Sequence, residues 1–428
     1  MNCTLKINWI PWADYANKYP LLFSSGEQFD MAYTSNWLNF SSLARKGAFK
    51  NLDELWPAYA PKNFARQSEG ALQQATLDGH YYCVPTLLAT YNAYGPIYRS
   101  DILEGTDWDG KMETFDDVEE YCDIVKATHP ELEPLDIYSA GSEWDDTYMY
   151  SLGYKASKGS TNDFLFFDPA QAAPKLLTYY ESDKTPDFLN IMARWNEKGF
   201  FSKSALSDTD STKTQNGKAA LRTHNIDTYS NYASMHPEWN FQYANFVKDL
   251  AHMPFTQDAM VISNTSKNPE RAMAFWDLLT DDQEVFDAFF YGILGNTYEL
   301  DDKGNFKLLD TDSFQTNAMW AARTTEFNRN AAGTPDDYKT LQSTFEKVIT
   351  PGKNAEKYAG FALDTSKIET EYAACQSVHQ QYWWPLELGY TDAQSGLAEY
   401  RTKMEAAGIE KVKEELQRQL DEYTAGLK

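Results

Sequence analysis

Apolar residues recur along this chain with two different periods, and the two alternate. Cys3, Leu5, Ile7 and Trp9 alternate with Thr4, Lys6 and Asn8, a period of two that predicts a half-buried strand. Helical spacing follows over residues 12–25 and stops at Gly26; a strand over 29–33 and a helix over 38–46, stopped by Gly47, come next. Asp78-Gly79 ahead of Tyr81-Tyr82-Cys83-Val84-Pro85 predicts a hairpin turn into a short strand. Residues 91–96 read as a strand ending in Gly95-Pro96, a dipeptide that breaks elements and fits a domain crossover. Helices over 114–128 and 145–152 flank a strand over 134–139, a polar loop covers 156–163, and 219–223 is a strand ending in His224-Asn225. Further on come a strand over 260–263 and a helix opened by Asn268-Pro269, with Ala272, Met273, Phe275, Trp276 and Leu279 on its apolar face. Residues 300–306 form a hairpin turn whose acids lack the terminal Glu of a calcium loop.

The C-terminal region is helical. Ser366 and Glu369 have capping-box spacing, and Ile368, Tyr372, Cys375 and Tyr382 follow at helical intervals. Tyr400, Met404, Ala407, Val412, Leu416, Leu420 and Tyr423 form a second stripe opposite a solvated face of Lys, Glu and Arg. Strands and helices in alternation make the fold class α/β.

The 428 residues exceed one ordinary core and predict two domains. With 38 Lys+Arg against 63 Asp+Glu the net charge is −25, which argues against nucleic acid as a partner. The four cysteines, Cys3, Cys83, Cys122 and Cys375, contain no C-x-x-C and read as buried thiols, Cys3 as a strand residue. No motif of nucleotide binding, zinc proteolysis or serine hydrolysis is present, and His80, His129, His224, His236, His252 and His379 are scattered, so neither a metal nor a cofactor is indicated. The unusual number is 24 Phe, 28 Tyr and 12 Trp, or 15% aromatic, in a chain of mean hydropathy −0.60. Many of those rings sit where the chain is half wet.

Trp12, Trp37, Tyr91, Tyr94, Trp144 and Tyr229 fall at or near strand ends, where α/β sheets bind ligands. Each can equally fill a core; Phe275, Trp276, Trp383 and Trp384 read as core. Ser35, Asn36, Asp145, Arg222, His224 and Asn225 supply the hydrogen-bonding groups that a sugar needs beside a ring. Glu143, Asp145 and Asp146 around Trp144 fit a helix N-terminus, ligand hydrogen bonding, or the acid pair of a glycosidase.

The run Asn8-Trp9-Ile10-Pro11-Trp12-Ala13-Asp14-Tyr15, then Ser25-Gly26-Glu27 and Thr34-Ser35-Asn36-Trp37, resembles the extracellular solute-binding proteins of ABC importers, in the lipid-anchored branch with a C-terminal domain of unknown function. Residues 46–55, Asp78-Gly79-His80-Tyr81-Tyr82-Cys83-Val84-Pro85, Gly217-Lys218-Ala219-Ala220, Asn268-Pro269-Glu270-Arg271-Ala272, Phe361-Ala362-Leu363-Asp364 and 406–420 carry the resemblance along essentially the whole chain. It implies the type II periplasmic-binding-protein fold: two lobes joined by a hinge with a cleft between them, here 1–95 with 250–312 and 97–248 with 313–428. It implies an extracellular, lipid-anchored, monomeric, non-enzymatic protein that captures a carbohydrate, most often an oligosaccharide, and delivers it to permease subunits. A peptide ligand is the alternative on the same scaffold, and a secreted glycoside hydrolase the alternative in another class. The ligand contacts expected on this reading are Trp12, Ser35, Asn36, Trp37, Tyr91, Tyr94, Trp144, Asp145, Arg222, His224, Asn225, Trp320 and Arg329. Family members begin with a signal peptide, a lipidated cysteine, a strand and a helix ahead of the strand expected at 3–9 here, and a first lobe without its central strand would leave backbone groups unpaired.

Overall fold

Local signals set most of the elements in the computed structural model, which describes residues 3–10, 12–38, 40–138, 143–157, 163–309, 320–350, 352–361 and 363–427. Asp78 and Gly79 both take positive φ, 54° and 88°, which is the turn that closes Thr76–Leu77 onto His80–Tyr81. Thr114 caps the Phe115–Thr128 helix with a reciprocal capping box to Asp117. Pro269 opens the Pro269–Asp281 helix, whose Ala272, Met273, Trp276 and Leu279 are buried.

The chain divides into two compact units. The first takes Met1–Thr90, His252–Ala332 and Ala359–Ser366. Its sheet has three antiparallel strands in the order Met31–Thr34, Ala259–Ile262, Val84–Pro85, and Phe40, Phe49, Trp56, Trp276 and Phe286 build the core around it. The second takes Tyr91–Ala251, Gly333–Tyr358 and Lys367–Lys428. Its sheet has four strands in the order Phe241–Tyr243, Tyr94–Arg99, Ala219–Asn225, Glu133–Leu135. The last pair is parallel and the others antiparallel. The expected domain limits put everything after 312 in the second unit, whereas residues 320–332 and 359–366 belong to the first. Physical ties hold them there: Arg323 bonds Asp258 at 3.1 Å, Phe306 N donates to Asn330 O at 2.9 Å, and Gln74 donates to Ala359 O at 3.0 Å.

Several local expectations give way. Residues 3–10 form no strand; Cys3 is exposed and Trp9 is 62% exposed. Alternation alone makes no strand without a neighbour to share a ladder and a face to bury. Ser366 does not cap its helix, which starts at Glu369 with Ile368 at the N-cap; instead Ser366 N donates to Asp364 Oδ1 at 3.0 Å in the preceding turn. The second C-terminal stripe is two helices, Ala393–Ala407 and Ile409–Gly426, broken where Gly408 takes φ 92°. Between Glu369–Val378 and Trp384–Glu387 the backbone widens to a π-turn over His379–Trp383.

Candidate functional site

The Ala219–Asn225 strand is buried from Ala219 through Thr223 and emerges half-buried at His224 and Asn225. A period of two puts Arg222 and His224 on one face of its C-terminal end. Arg222 donates from Nη1 to Ser211 O and from Nη2 to Tyr138 Oη, both at 3.1 Å, and its guanidinium lies 5.1 Å from the Tyr138 ring centroid. His224 Nδ1 meets Thr228 Oγ1 at 2.8 Å, and Tyr94, opposite Asn225 in the ladder, lays its ring 5.7 Å from the imidazole. Asn225 caps the Ile226–Met235 helix by accepting from Thr228 N at 2.9 Å.

Glu143 completes the group. It precedes the Trp144–Ser151 helix with φ 59°, a left-handed conformation rare outside glycine, and makes no side-chain cap bond. Its Oε1 lies 3.9 Å from Arg222 Nη2 and 3.7 Å from His224 Nε2, while Oε2 is buried with no hydrogen-bond partner among the described residues. The Tyr243 hydroxyl, which lies within electrostatic reach of Tyr94, is a second buried polar atom without a partner among the described residues. Burial pushes the His224 imidazole below its ordinary value; Glu143 opposes this and Arg222 adds to it. Burial disfavours the Arg222 charge as well, but Glu143 and the neighbouring phenols hold it firmly protonated. A cation, a carboxylate and a neutral imidazole thus lie near Tyr94, Tyr138 and Tyr243, a mixture of hydrogen-bonding groups and ring faces of the kind a polyhydroxylated ligand can use.

The first unit holds a smaller polar group. Asp258 accepts from Tyr33 Oη at 2.8 Å and from Arg323 at 3.1 Å, and Trp320 sits edge-on to Tyr33 at 5.7 Å. Ser35 is buried and donates to Asn36 Oδ1 at 3.1 Å. Two surface hollows of about 510 and 400 Å³ are lined by other residues, Asp116–Ala127 positions in one and Arg45, Asp78 and their neighbours in the other. Among the described residues no group of three or more His, Cys, Asp or Glu is placed to hold a metal ion, and no helix is long and apolar enough to cross a membrane.

Residues 2–286 match the bacterial extracellular solute-binding protein family. The chain belongs to that family. Residues 357–425 match a domain of unknown function. A carbohydrate ABC transporter substrate-binding protein of Streptococcus pneumoniae serotype 4 is 22% identical over 98% of this chain and 84% of its own length. The crystal structure of an N-glycan transport solute binding protein from Streptococcus pneumoniae superposes with a TM-score of 0.79 at 21% identity, covering 99% of this chain and 92% of that one. An ABC-transporter substrate binding protein of S. pneumoniae in complex with fructo-nystose gives 0.65 at 17% identity over 97% and 92%. The fold is therefore that of the solute-binding proteins.

Within this solute-binding protein the expected contacts separate. Tyr94, Arg222, His224 and Asn225 come together as described. Trp144 does not present a face: it is 1% exposed, wedged against Phe115 at 5.7 Å and Trp195 at 5.1 Å. Asp145 is locked as well, its Oδ2 accepting from Trp383 Nε1 at 2.7 Å and its Oδ1 from Asp146 N at 2.8 Å. Arg329 is spent on Asp287, with Nη2 at 2.7 Å, and Tyr91 on Glu346 at 2.9 Å. Trp320 and Arg329 both fall in the first unit. Trp12 opens the Trp12–Ser24 helix and Trp37 lies in a short turn over Asn36–Leu38, but their side chains lie outside the described residues. Tyr138 and Tyr243 were not singled out by sequence. Tyr138 stands three residues past the Glu133–Leu135 strand, and a ring just beyond a strand was a usable signal; Tyr243 is an ordinary alternating strand residue and gave none.

Proposed function

We propose that this protein is the extracellular capture component of a carbohydrate ABC importer, which holds an oligosaccharide and hands it unaltered to the permease subunits. The observation that carries this reading is the Arg222–Glu143–His224 group beside Tyr94 and Tyr138, in a chain of the solute-binding family. Each sugar hydroxyl donates one hydrogen bond and accepts others. Glu143 Oε2 has no donor among the described residues, and His224 and Asn225 beside it are half-buried. The relatives whose names specify a ligand, an N-glycan transporter's binding protein and a fructo-nystose complex, agree with this choice of ligand class. In the first unit Ser35, Asn36 and Trp320, with Trp12 and Trp37, are the proposed ligand-contacting set.

The hydrolase alternative needs two carboxylates facing one bond. Asp145, one of the two acids next to Glu143, is engaged on both oxygens within the core, which weighs against that alternative. Lipid anchoring and a monomeric state belong to the same proposal. Calorimetry with neutral oligosaccharides tests it. The parent binds one glycan per chain, and Arg222→Met weakens binding at least roughly tenfold, the scale of a lost charge-assisted hydrogen bond. Binding of extended peptides in place of every glycan would overturn the ligand class.

A further inference from the structure

We infer that Glu143 and His224 form a socket for a single ligand hydroxyl, with Glu143 Oε1 accepting its proton and His224 Nε2–H donating to its oxygen. The inference rests on the carbohydrate reading above and adds the group within the sugar that the second unit reads.

Glu143 Oε1 stands 3.7 Å from His224 Nε2 and 3.9 Å from Arg222 Nη2. Both separations are too long for a direct hydrogen bond, yet one oxygen atom about 2.8–3.0 Å from each partner bridges them. Both side chains are only partly covered, Glu143 keeping 13% of its side-chain surface exposed and His224 23%. The imidazole is held from two sides: Nδ1 meets Thr228 Oγ1 at 2.8 Å, and the Tyr94 ring lies 5.7 Å away. Burial keeps it neutral at neutral pH, so one nitrogen carries the proton and the other a lone pair. The carboxylate across from Nε2 favours the tautomer with the proton there, and the Thr228 hydroxyl then donates to Nδ1.

Glu143 supplies the other half. It makes no side-chain cap bond to the helix behind it and takes a left-handed backbone at φ 59°, a conformational cost of the kind kept at binding sites. Arg222 flanks the same oxygen and is itself anchored, Nη1 on Ser211 O and Nη2 on Tyr138 Oη. A carboxylate oxygen only accepts and an Nε2–H only donates, so a single atom that serves both must carry a proton and lone pairs. A sugar hydroxyl does; a methylated oxygen lacks the proton, and a deoxy position lacks both partners. Water can make the same two bonds, so a ligand hydroxyl that reproduces them replaces it without loss, whereas a deoxy position cannot.

The test is calorimetry at neutral pH with three neutral oligosaccharides, one built of mannose and N-acetylglucosamine, one of glucose and one of fructose. The tightest binder is then compared with its monodeoxy analogues, each hydroxyl replaced in turn by hydrogen. One deoxy position should weaken binding by the parent roughly tenfold or more. Glu143→Gly suits the left-handed backbone, and His224→Phe keeps a ring beside Tyr94 while removing Nε2–H. Each should shrink the penalty at that same position to within about threefold and leave the penalties elsewhere unchanged. A variant that merely loosened the fold would lower affinity without choosing a hydroxyl. Magnetic resonance of the parent with nitrogen-labelled histidine needs no variant: His224 should carry its proton on Nε2, and that signal should move with the intact glycan and not with the deoxy analogue. Absence of any such position, a penalty retained in either variant, relief at different hydroxyls in the two, or a proton on Nδ1 overturns the socket and leaves carbohydrate capture standing. Failure of all three oligosaccharides to bind overturns the carbohydrate reading and the socket with it.

Discussion

Acidic residues in front of a helix ordinarily turn back to cap it; Glu143 turns away and faces Arg222 and His224 instead. His224 beside it carries a pH consequence. Its folded pKa lies below the ordinary value of about 6.5, so the folded protein refuses a proton that the unfolded chain accepts. Its contribution to stability is complete above about pH 6.5 and is lost as pH falls through that value toward the lower folded one. Thermal melts from pH 7.5 to 5 should show the parent losing midpoint faster than His224→Gln; parallel loss in both would mean that the imidazole is already solvated. At this scale the sequence placed Arg222, His224 and Asn225 at a strand end, as the structure does, because a strand end followed by a helix cap is a local pattern. It misplaced Trp144 and Asp145, because their surroundings come from far along the chain, from Trp195 and from Trp383.

Elements explain how those distant groups reach each other. Trp383 stands at the end of the π-turn, stacks on Tyr179 at 3.9 Å and donates to the buried Asp145. Burial pushes the Asp145 carboxyl up while the indole N–H works against that. Trp383→Phe keeps the stacking and removes the donor; the expected cost is about 2–3 kcal/mol, read as a lower denaturation midpoint with unchanged glycan affinity. Gly95 offers a second element-scale prediction. It pairs with His224 in the ladder, and a Cβ there would lie 1.9 Å from Ala244 O. Gly95→Ala must therefore push the Tyr94–Arg99 strand off its neighbour, and both stability and ligand binding should fall together; an alanine variant with parental melting and affinity would show that the strand has slack. Hairpins, caps and glycine stops were legible in sequence because they are short-range. The strand expected at 3–9 and the capping box at Ser366 failed because each depends on a partner or a turn that pattern alone does not supply.

The whole molecule repeats this contrast. Alternation of strand and helix gave the α/β class, and weak motifs in order along the chain pointed to the solute-binding family that residues 2–286 match. The division into two units was readable near residues 90 and 251, where single crossings leave a local mark. It was not readable after 312, where the chain passes to the second unit at Gly333, returns for residues 359–366 and leaves again. Those passages are fixed by bonds such as Arg323 to Asp258 and Gln74 to Ala359 O, between residues more than 60 positions apart. The C-terminal region from Lys367 onward is thereby part of the body that carries Arg222 and His224, tied in through Trp383 and Asp145. The most direct measurement for the account is calorimetric titration of the full chain with a neutral oligosaccharide, followed by mass analysis of the recovered glycan. One glycan bound per chain, recovered with its mass unchanged and lost on Arg222→Met, is the predicted result; glycan that fails to bind, or that comes back cleaved, would contradict it.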